Sequence, residues 1–260
     1  MLKTGQFEDI IYAQGACSLL GHTIKAYIYL VDGLLIDTGP SRLQKDSAEF
    51  FNAQRIEQVA LTHVHEDHAG MAYWLQKHKQ VPIYIHPEAI KMAEAHGKYR
   101  LYRRLMWGAR NPFFPQPVPD KITTGKYTFE MIDTPGHVDY HYAYWEKNQG
   151  WLFTGDLYVG NKLRLAFYEE DMCQVIASLE KLLKLDFDTV FCAHAGIVRK
   201  GRKALSAKLA FLTELQAKVN EYRKQGLSDE EIDRLLFPRN PLMDIVSRGE
   251  WSSYHIVHTL

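Results

Sequence analysis

The chain has 260 residues, with 31 Lys and Arg and 31 Asp and Glu, so its formal net charge is zero. A zero net charge gives no overall attraction for nucleic acid or for an anionic membrane, and we expect neither as a partner. No apolar run reaches the roughly 20 residues that cross a bilayer, and the N-terminus lacks the basic start and apolar stretch of a signal peptide. The three cysteines show no C-x-x-C spacing, which argues against a disulfide framework. Taken together, these features lead us to expect a cytoplasmic enzyme that acts on a small molecule.

Residues 1–86 alternate between predicted strands and helices. Strands are predicted for FEDIIYAQG, TIKAYIYLV and LLIDTG, which are rich in β-branched and aromatic residues and are separated by glycine. Helical spacing follows in SRLQKDSAEFFNAQ, then a short buried strand in IEQVALTH, a helix in AGMAYWLQKHK and a strand in VPIYIHP. This order predicts a mixed α/β (α+β) fold in which strands far apart in sequence are paired.

Residues 87–120 interrupt the alternation as a helical and proline-rich insertion. One or two helices are predicted up to Asn111, followed by a loop, PFFPQPVPD, in which neither element continues. Residues 98–110 contain five basic residues and no acids, interleaved with aromatic residues. They are equally consistent with a lid that binds an anionic or aromatic substrate through Arg100, Arg103 or Arg104, and with an amphipathic helix whose basic face is solvated. Trp107 is a further candidate substrate contact.

After residue 120 the strand pattern resumes and then gives way to helices. Strands are predicted for KYTFEMIDTPGH, YHYAYWEK, QGWLFTGD and DTVFCAHAG, with a helix at about 171–184 before the last of them. Residues 200–260 form a predicted helical extension, in which Ser228 caps a helix that has acids in its first turn. A last helix capped by Ser252 or Ser253 places His255 either near the functional site or, as we favour, in closure of the domain. One domain is predicted over residues 1–260.

The segment THVHEDH concentrates potential metal ligands. On an extended strand end His63 and His65 project to the same side, while Asp67 and His68 fall where the chain turns into the next helix. One stretch can therefore contribute ligands to two neighbouring ions. Imidazole and carboxylate groups are ligands of zinc, and also of manganese and iron. Glu66, between these ligands, is expected to face away from them.

Other predicted strands also end in a potential ligand beside glycine, where the backbone can bend tightly. These residues are His137 in TPGH, Asp156 in TGD, His194 in CAHAG and Asp37 in LLIDTG. Distant strand ends can therefore complete the two half-sites of THVHEDH.

The series LLIDTG, HVHEDH, TPGH, TGD and CAHAG resembles the five motifs of the metallo-β-lactamase superfamily, in order and approximate spacing, over about residues 25–197. The resemblance implies a four-layer αβ/βα sandwich with metals at one edge. It implies a first ligand group of His63, His65 and His137. It implies a second ligand group of Asp67, His68 and His194, with Asp156 bridging the two metals.

The implied centre holds two divalent ions per chain, with zinc favoured and manganese or iron(II) as alternatives. A hydroxide between the ions would attack the carbonyl carbon of a small ester, lactone or thioester, with Asp67 orienting it as a general base. Asp37 resembles the family's aspartate that supports the site, and His141 is assigned a similar supporting or structural role. Tyr158, two residues after the bridging aspartate, is a candidate substrate contact, as is His255.

Several other activities stay open. A hydroxyacylglutathione thioesterase shares the metal motifs, although its glutathione-binding basic residues are not identified in the C-terminal helices. In an acyl-homoserine-lactone lactonase the tyrosine near the bridging aspartate is expected one residue further on. A phosphodiesterase or nuclease would use the basic segments, and a mononuclear iron persulfide dioxygenase would use only part of the ligand set. A metal-binding protein without turnover is the alternative outside the enzymes.

Overall fold

The computed structural model describes residues 2–237 and 245–260, and in this part of the chain the strands form two large sheets. The first sheet follows chain order: β1 (Lys3–Phe7), β2 (Ile10–Leu19), β3 (His22–Val31), β4 (Leu34–Ile36), β5 (Gln58–Ala60), β6 (Ile83–Ile85) and β7 (Gln116–Pro117). The second contains β8 (Lys121–Thr123), β9 (Thr128–Asp133), β10 (Tyr142–Glu146), β11 (Trp151–Gly155), β13 (Thr189–Cys192) and β14 (Gly196–Val198), and its order is β14-β13-β11-β10-β9-β8. A short pair joins β12 (Ala166–Phe167) to β15 (Trp251–Ser252).

Helices connect the strands and cover the outer faces of both sheets. They are α1 (Gln44–Ala53), α2 (Ala72–His78), α3 (Ile90–Ala93), α4 (Leu101–Trp107), α5 (Met172–Leu182), α6 (Gly201–Lys224), α7 (Asp229–Leu236) and α8 (Ser253–Thr259), with 3-10 turns at Ser41–Leu43 and Pro87–Ala89. Among the described helices, none has the length and apolar character that crossing a bilayer requires.

The alternation of side chains along each strand builds the four layers. In β3, Tyr29 and Val31 face the second sheet, whereas Ile28 and Leu30 face the helices that cover the first. In β11, Phe153 packs between the sheets and its neighbour Leu152 packs under α5 and α6. Each sheet therefore buries both faces, which produces a helix–sheet–sheet–helix order. This order confirms the predicted αβ/βα sandwich.

Hydrogen bonds join the two sheets at the edge where several strands end. The Tyr29 hydroxyl donates to the Cys192 carbonyl over 2.7 Å, and the Tyr144 hydroxyl donates to the Leu61 carbonyl over 2.7 Å. Both carbonyls lie at or just after the carboxyl end of a strand. The loops that follow β4, β5, β11 and β13 are therefore held near one another, and these loops carry the predicted ligands.

Most predicted elements are confirmed, but a turn at Glu8 and Asp9 divides the predicted strand FEDIIYAQG between β1 and β2, and the insertion also differs from the prediction. The proline-rich loop contains β7, a two-residue strand that pairs with β6 at the edge of the first sheet. A proline is tolerated there because its missing N–H faces away from the neighbouring strand.

The Ser228 cap is confirmed as a reciprocal capping box with Glu231, and Ser252 caps α8. Part of the predicted 200–260 extension, residues 238–244, lies outside the described residues. The single domain over 1–260 stays a prediction.

A buried ion-pair network fixes the insertion to the rest of the fold. Arg103 of α4 donates through Nε and Nη2 to both carboxylate oxygens of Glu66, at 2.6 and 2.8 Å. Its Nη1 lies 3.5 Å from Glu250 Oε1, and Glu66 and Arg103 are 0% and 5% exposed. Glu66 therefore contacts the insertion rather than solvent, and it is the buried anchor of that segment.

Replacing Arg103 alone is expected to destabilise the protein more than replacing both members of its main pair. Arg103→Met leaves the Glu66 carboxylate buried without its partner, a change that costs about 3–5 kcal/mol. The double variant Glu66→Met/Arg103→Met leaves no isolated charge at that position, while Glu250 keeps Arg100 at 3.0 Å. Urea unfolding in the presence of a chelator measures both free energies, and a double variant that is less stable than the single one would contradict this account.

Candidate metal centre

The ligands of the first group come from two loops. His63 and His65 follow β5, and His137 follows β9. His137 Nε2 lies 3.1 Å from His65 Nδ1, and the His63 ring centroid lies 4.5 Å from that of His65 and 4.9 Å from that of His137. One nitrogen of each ring lies within 4.8 Å of the others, so the three imidazoles can share one ion.

The second group adds carboxylates to histidines. Asp156 Oδ1 lies 3.2 Å from both His68 Nε2 and His194 Nε2, and Asp67 Oδ2 lies 3.3 Å from His194 Nε2. The other oxygen of Asp156, Oδ2, lies 3.5 Å from His137 Nε2 of the first group. The Asp156 carboxylate is therefore located between the two groups.

Each ligand histidine has a contact for its other ring nitrogen. Four of these contacts are His63 Nδ1 to Thr62 Oγ1 (3.1 Å), His65 Nε2 to Glu169 Oε1 (2.8 Å), His68 Nδ1 to Asp37 Oδ2 (2.8 Å) and His194 Nδ1 to the Lys25 carbonyl (2.6 Å). In the fifth, His137 Nδ1 lies 3.5 Å from Glu170 Oε1. Such contacts fix the orientation of a ring and aim its free nitrogen at a metal.

Asp37 lies beside the second group and contacts both Thr62 and His68. It follows β4 with a φ of +57°, a left-handed conformation that is unusual outside glycine. Its Oδ1 accepts a 2.8 Å hydrogen bond from the Thr62 backbone N–H, and its Oδ2 contacts His68. The strained turn therefore places one carboxylate where it orients both the backbone of the THVHEDH segment and a ligand ring.

His141 lies behind the ligands and contacts the segment that carries Asp156. Its Nδ1 lies 2.8 Å from Thr134 Oγ1, and its Nε2 accepts from the Asp156 backbone N–H over 3.4 Å. Burial lowers the pKa of His141 well below its ordinary value, so the ring is neutral and can accept. A Cβ on Gly155, which has a φ of +46°, would lie 2.7 Å from this nitrogen, and this explains the glycine before Asp156.

The charges of the buried groups depend on one another. Burial alone would lower the pKa of His68, but the carboxylates of Asp156, Asp37 and Asp67 raise it well above its ordinary value. For Asp67 the effects have the opposite sign: burial alone would raise its pKa, but His68 and His194 lower it below its ordinary range. The carboxylates are therefore ionised, and positive charge next to them stabilises them.

The donor set fits divalent cations. His63 Nε2 is buried in its group and has no hydrogen-bond partner among the described residues, so its lone pair is free for a metal. The first group offers nitrogen ligands, and the second adds carboxylate oxygens to them. Zinc, manganese and iron(II) accept such combinations.

A cavity of about 420 Å³ opens beside the two groups and contacts both. Its floor includes His65, Asp67, His137, Asp156 and His194. The insertion forms part of its wall, and of the predicted substrate contacts Arg103 and Trp107 line it. The other three have contacts elsewhere in the described residues: Arg100 pairs with Glu250, the Tyr158 hydroxyl donates to Asn161, and His255 Nε2 lies 2.8 Å from the Gly249 carbonyl.

Sequence reasoning missed three supporting residues. Glu169 and Glu170, next to each other before α5, contact His65 and His137, about 100 and 30 residues earlier in the chain. Lys208 of α6 is 2% exposed and donates to the carbonyls of Leu157 and Tyr158, the two residues directly after Asp156. Burial lowers the pKa of Lys208 to about 8. The FYEED run and a lysine on a helix are not distinctive locally, so only the fold reveals these contacts.

Two curated relatives are similar to this chain in sequence. The chain is 29% identical over 149 residues to a hydroxyacylglutathione hydrolase of Bdellovibrio bacteriovorus, a match that covers 56% of this chain and 53% of that protein. A hydroxyacylglutathione hydrolase of Aeromonas salmonicida is 29% identical over 216 residues, covering 77% and 74%. The chain thus spans about half of the first relative and three quarters of the second.

Solved structures share the fold at low identity. A beta-lactamase domain protein from Burkholderia ambifaria superimposes with a TM-score of 0.70 at 18% identity, covering 97% of this chain and 86% of that one. A metallo-beta-lactamase family protein from Thermus thermophilus gives a TM-score of 0.68 at 18% identity, covering 97% and 91%. The model of the metallo-beta-lactamase superfamily matches residues 25–194, which is more than half of the sequence and spans every proposed ligand. The chain therefore belongs to the metallo-beta-lactamase superfamily.

Proposed function

We propose that this protein is a dinuclear metal-dependent hydrolase that cleaves a small carbonyl substrate, with a thioester as the first choice among thioesters, esters and lactones. The observation that carries the proposal is that seven candidate ligand side chains form two adjacent groups, and five of the seven line one cavity. The names of the curated relatives, hydroxyacylglutathione hydrolases, favour thioester chemistry.

Two adjacent sites follow from the ligand groups. The three histidines of the first group would hold one cation, and Asp67, His68 and His194 would hold the other, with Asp156 shared. Divalent cations held at these positions, zinc first, would lower the pKa of a water toward about 7 and would polarise a carbonyl oxygen. The fixed ring orientations keep the ligand nitrogens aimed at the cavity floor.

Asp67 carries the general-base role in this proposal. Its carboxylate lines the cavity and lies 3.3 Å from His194 Nε2; without a metal, burial raises its pKa but His68 and His194 lower it below the ordinary range, so it is ionised. An ionised carboxylate accepts a hydrogen bond from an attacking water and orients the oxygen lone pair toward the substrate carbon. A thiolate leaving group needs little acid assistance, since its ordinary pKa is about 8.5.

The contacts of the insertion favour a carbonyl substrate over a phosphodiester. Arg103 is paired with Glu66, Arg100 pairs with Glu250, and the Arg110 guanidinium donates to backbone carbonyls of α3. These three guanidinium groups therefore have partners within the protein, and the cations left unpaired in the described cavity lining are the exposed Lys162 and Arg164. Arginines that bind a phosphodiester use free guanidinium groups, which these three do not offer.

Metal content is expected to be about two zinc or manganese ions per chain, as the two ligand groups require. Each of the variants His63→Ala and His194→Ala removes one ligand from one group, so each is expected to lose about one ion. His78→Ala, at an exposed position on α2, is the matched control and is expected to keep both. Elemental analysis of the purified proteins measures the content. One iron per chain that survives His194→Ala would replace the hydrolase with the mononuclear dioxygenase.

Thioester hydrolysis should depend on the metals and on Asp67. The metal-loaded protein is expected to hydrolyse S-lactoylglutathione or a simple acyl thioester, with activity lost on chelation and restored by zinc. Asp67→Asn keeps the shape of the side chain but not its basicity, so a fall in kcat of about 100-fold or more is expected. Free thiol is measured with a chromogenic reagent, and Asp120→Asn, at an exposed position outside the cavity lining, is the control. Full activity in the chelated protein would contradict the proposal.

Glu169 is expected to raise the affinity of the first group for its metal. Glu169→Ala removes the contact to His65 Nε2 and is expected to weaken metal binding about 10- to 100-fold. Glu169→Gln keeps a carbonyl oxygen that accepts from the ring, so it should recover part of the loss. Competition with a chromophoric chelator measures the affinity, and Glu180→Ala, at an exposed position on α5, is the control. Equal affinities of Glu169→Ala and the parent would remove this role.

A further inference from the structure

The cavity beside the metal centre has a predominantly apolar wall. Its apolar lining comes from the β2–β3 hairpin, the insertion, the loop after β11 and the C-terminal segment, and includes Ile24, Met106, Trp107, Leu165, Phe167 and Trp251. Among the described residues, and apart from the metal ligands and Glu170, the charged side chains of the lining are Arg103, which is paired with Glu66, and the exposed Lys162 and Arg164. The lining also includes His22 and Tyr102, whose buried hydroxyl has no hydrogen-bond partner among the described residues. The described wall is therefore mostly apolar and offers only a few polar partners.

Aromatic rings flank both halves of the cavity floor. The Phe167 ring lies 6.4 Å from the rings of His65 and His137 in the first ligand group and stacks on Trp251 at 5.5 Å. The Trp107 ring lies 5.9 Å from His194 in the second group. A carbonyl group that reaches the floor would therefore have apolar surface on either side of it.

We propose that this cavity binds the acyl part of the substrate, and that the acyl part is an apolar chain or an aromatic ring. This inference rests on the proposed hydrolase function and specifies its substrate class. A volume of about 420 Å³ falls within the usual range of small-molecule sites, about 300–1,000 Å³, and accommodates more than a two- or three-carbon acyl group. A hydroxylated acyl group would lose its hydrogen bonds to water against these walls, which disfavours it.

The rate is expected to rise with acyl length until the cavity is filled. Each methylene that moves from water to an apolar wall in the transition state is expected to raise kcat/KM about fourfold. The metal-loaded protein is assayed with acetyl, butyryl, hexanoyl and octanoyl thioesters of one thiol, N-acetylcysteamine, and with the lactoyl thioester. The lactoyl thioester is expected to react more slowly than the butyryl one.

A matched pair of leucine variants locates the effect. Leu165→Asn places an amide in the cavity wall and is expected to lower kcat/KM for the octanoyl thioester about tenfold, with less effect on the acetyl thioester. Leu235→Asn, at a leucine of α7 that is 61% exposed and outside the cavity lining, is the control and should leave the series unchanged. Metal content measured for both variants separates a wall effect from loss of the centre.

Two results separate this inference from the proposed function. If the acetyl thioester is hydrolysed but kcat/KM does not rise with chain length, or if the lactoyl thioester is preferred, the apolar acyl site is wrong and the hydrolase stands. If no thioester is hydrolysed, and no ester or lactone either, the proposed function fails, and binding of octanoate and acetate, followed by tryptophan fluorescence, still decides the inference. Tighter binding of octanoate that is lost in Leu165→Asn supports the apolar site, and equal binding of the two carboxylates overturns it.

Discussion

The burial of charge at the edge where the two sheets meet is the constraint on which the site depends. Two carboxylates, Asp67 and Asp156, lie there with five imidazoles; four of the imidazoles are buried, and the side chains of Asp156 and His194 are 9% and 14% exposed. Ionised carboxylates at such a position are costly unless positive charge is adjacent. Without a metal, His68 and His194 supply that charge, which is why their pKa values rise above the ordinary value despite burial. Divalent cations would supply it more effectively while binding the ring nitrogens directly.

The supporting contacts explain how flexible side chains can form an ordered centre. Thr62 has a central position, since its hydroxyl lies 2.9 Å from Asp37 Oδ2 and 3.1 Å from His63 Nδ1. Asp37 in turn contacts His68, and the glutamates before α5 contact the rings of the first group. These contacts restrict ring rotation before any metal binds, so less conformational entropy is lost on binding. The hydrogen bonds between the sheets keep the contributing loops in place.

The fold and the ligand groups could be predicted because their signals are local. His63, His65, Asp67 and His68 lie in one short segment after a strand, and His137, Asp156 and His194 each follow another strand close to a glycine, so short motifs contain the required geometry. The role of Glu169 could not be predicted, because its contact with His65 joins positions 104 residues apart in the sequence and has no local signature. The anchoring role of Glu66 was missed for the same reason, since its partner Arg103 is on a different element. Long-range ion pairs depend on packing, and packing is set by the whole fold.

The same ion pairs also determine the chemistry of the cavity. Five basic residues in the insertion suggested an anion-binding lid, but Arg103 and Arg100 direct their charges to Glu66 and Glu250. With these cations engaged, the insertion presents Met106 and Trp107 to the cavity instead. The ion pairs that anchor the insertion therefore also neutralise its arginines next to the cavity wall. Stability of the insertion and selectivity for an apolar acyl group would then have one physical origin, the pairing of arginines with buried glutamates.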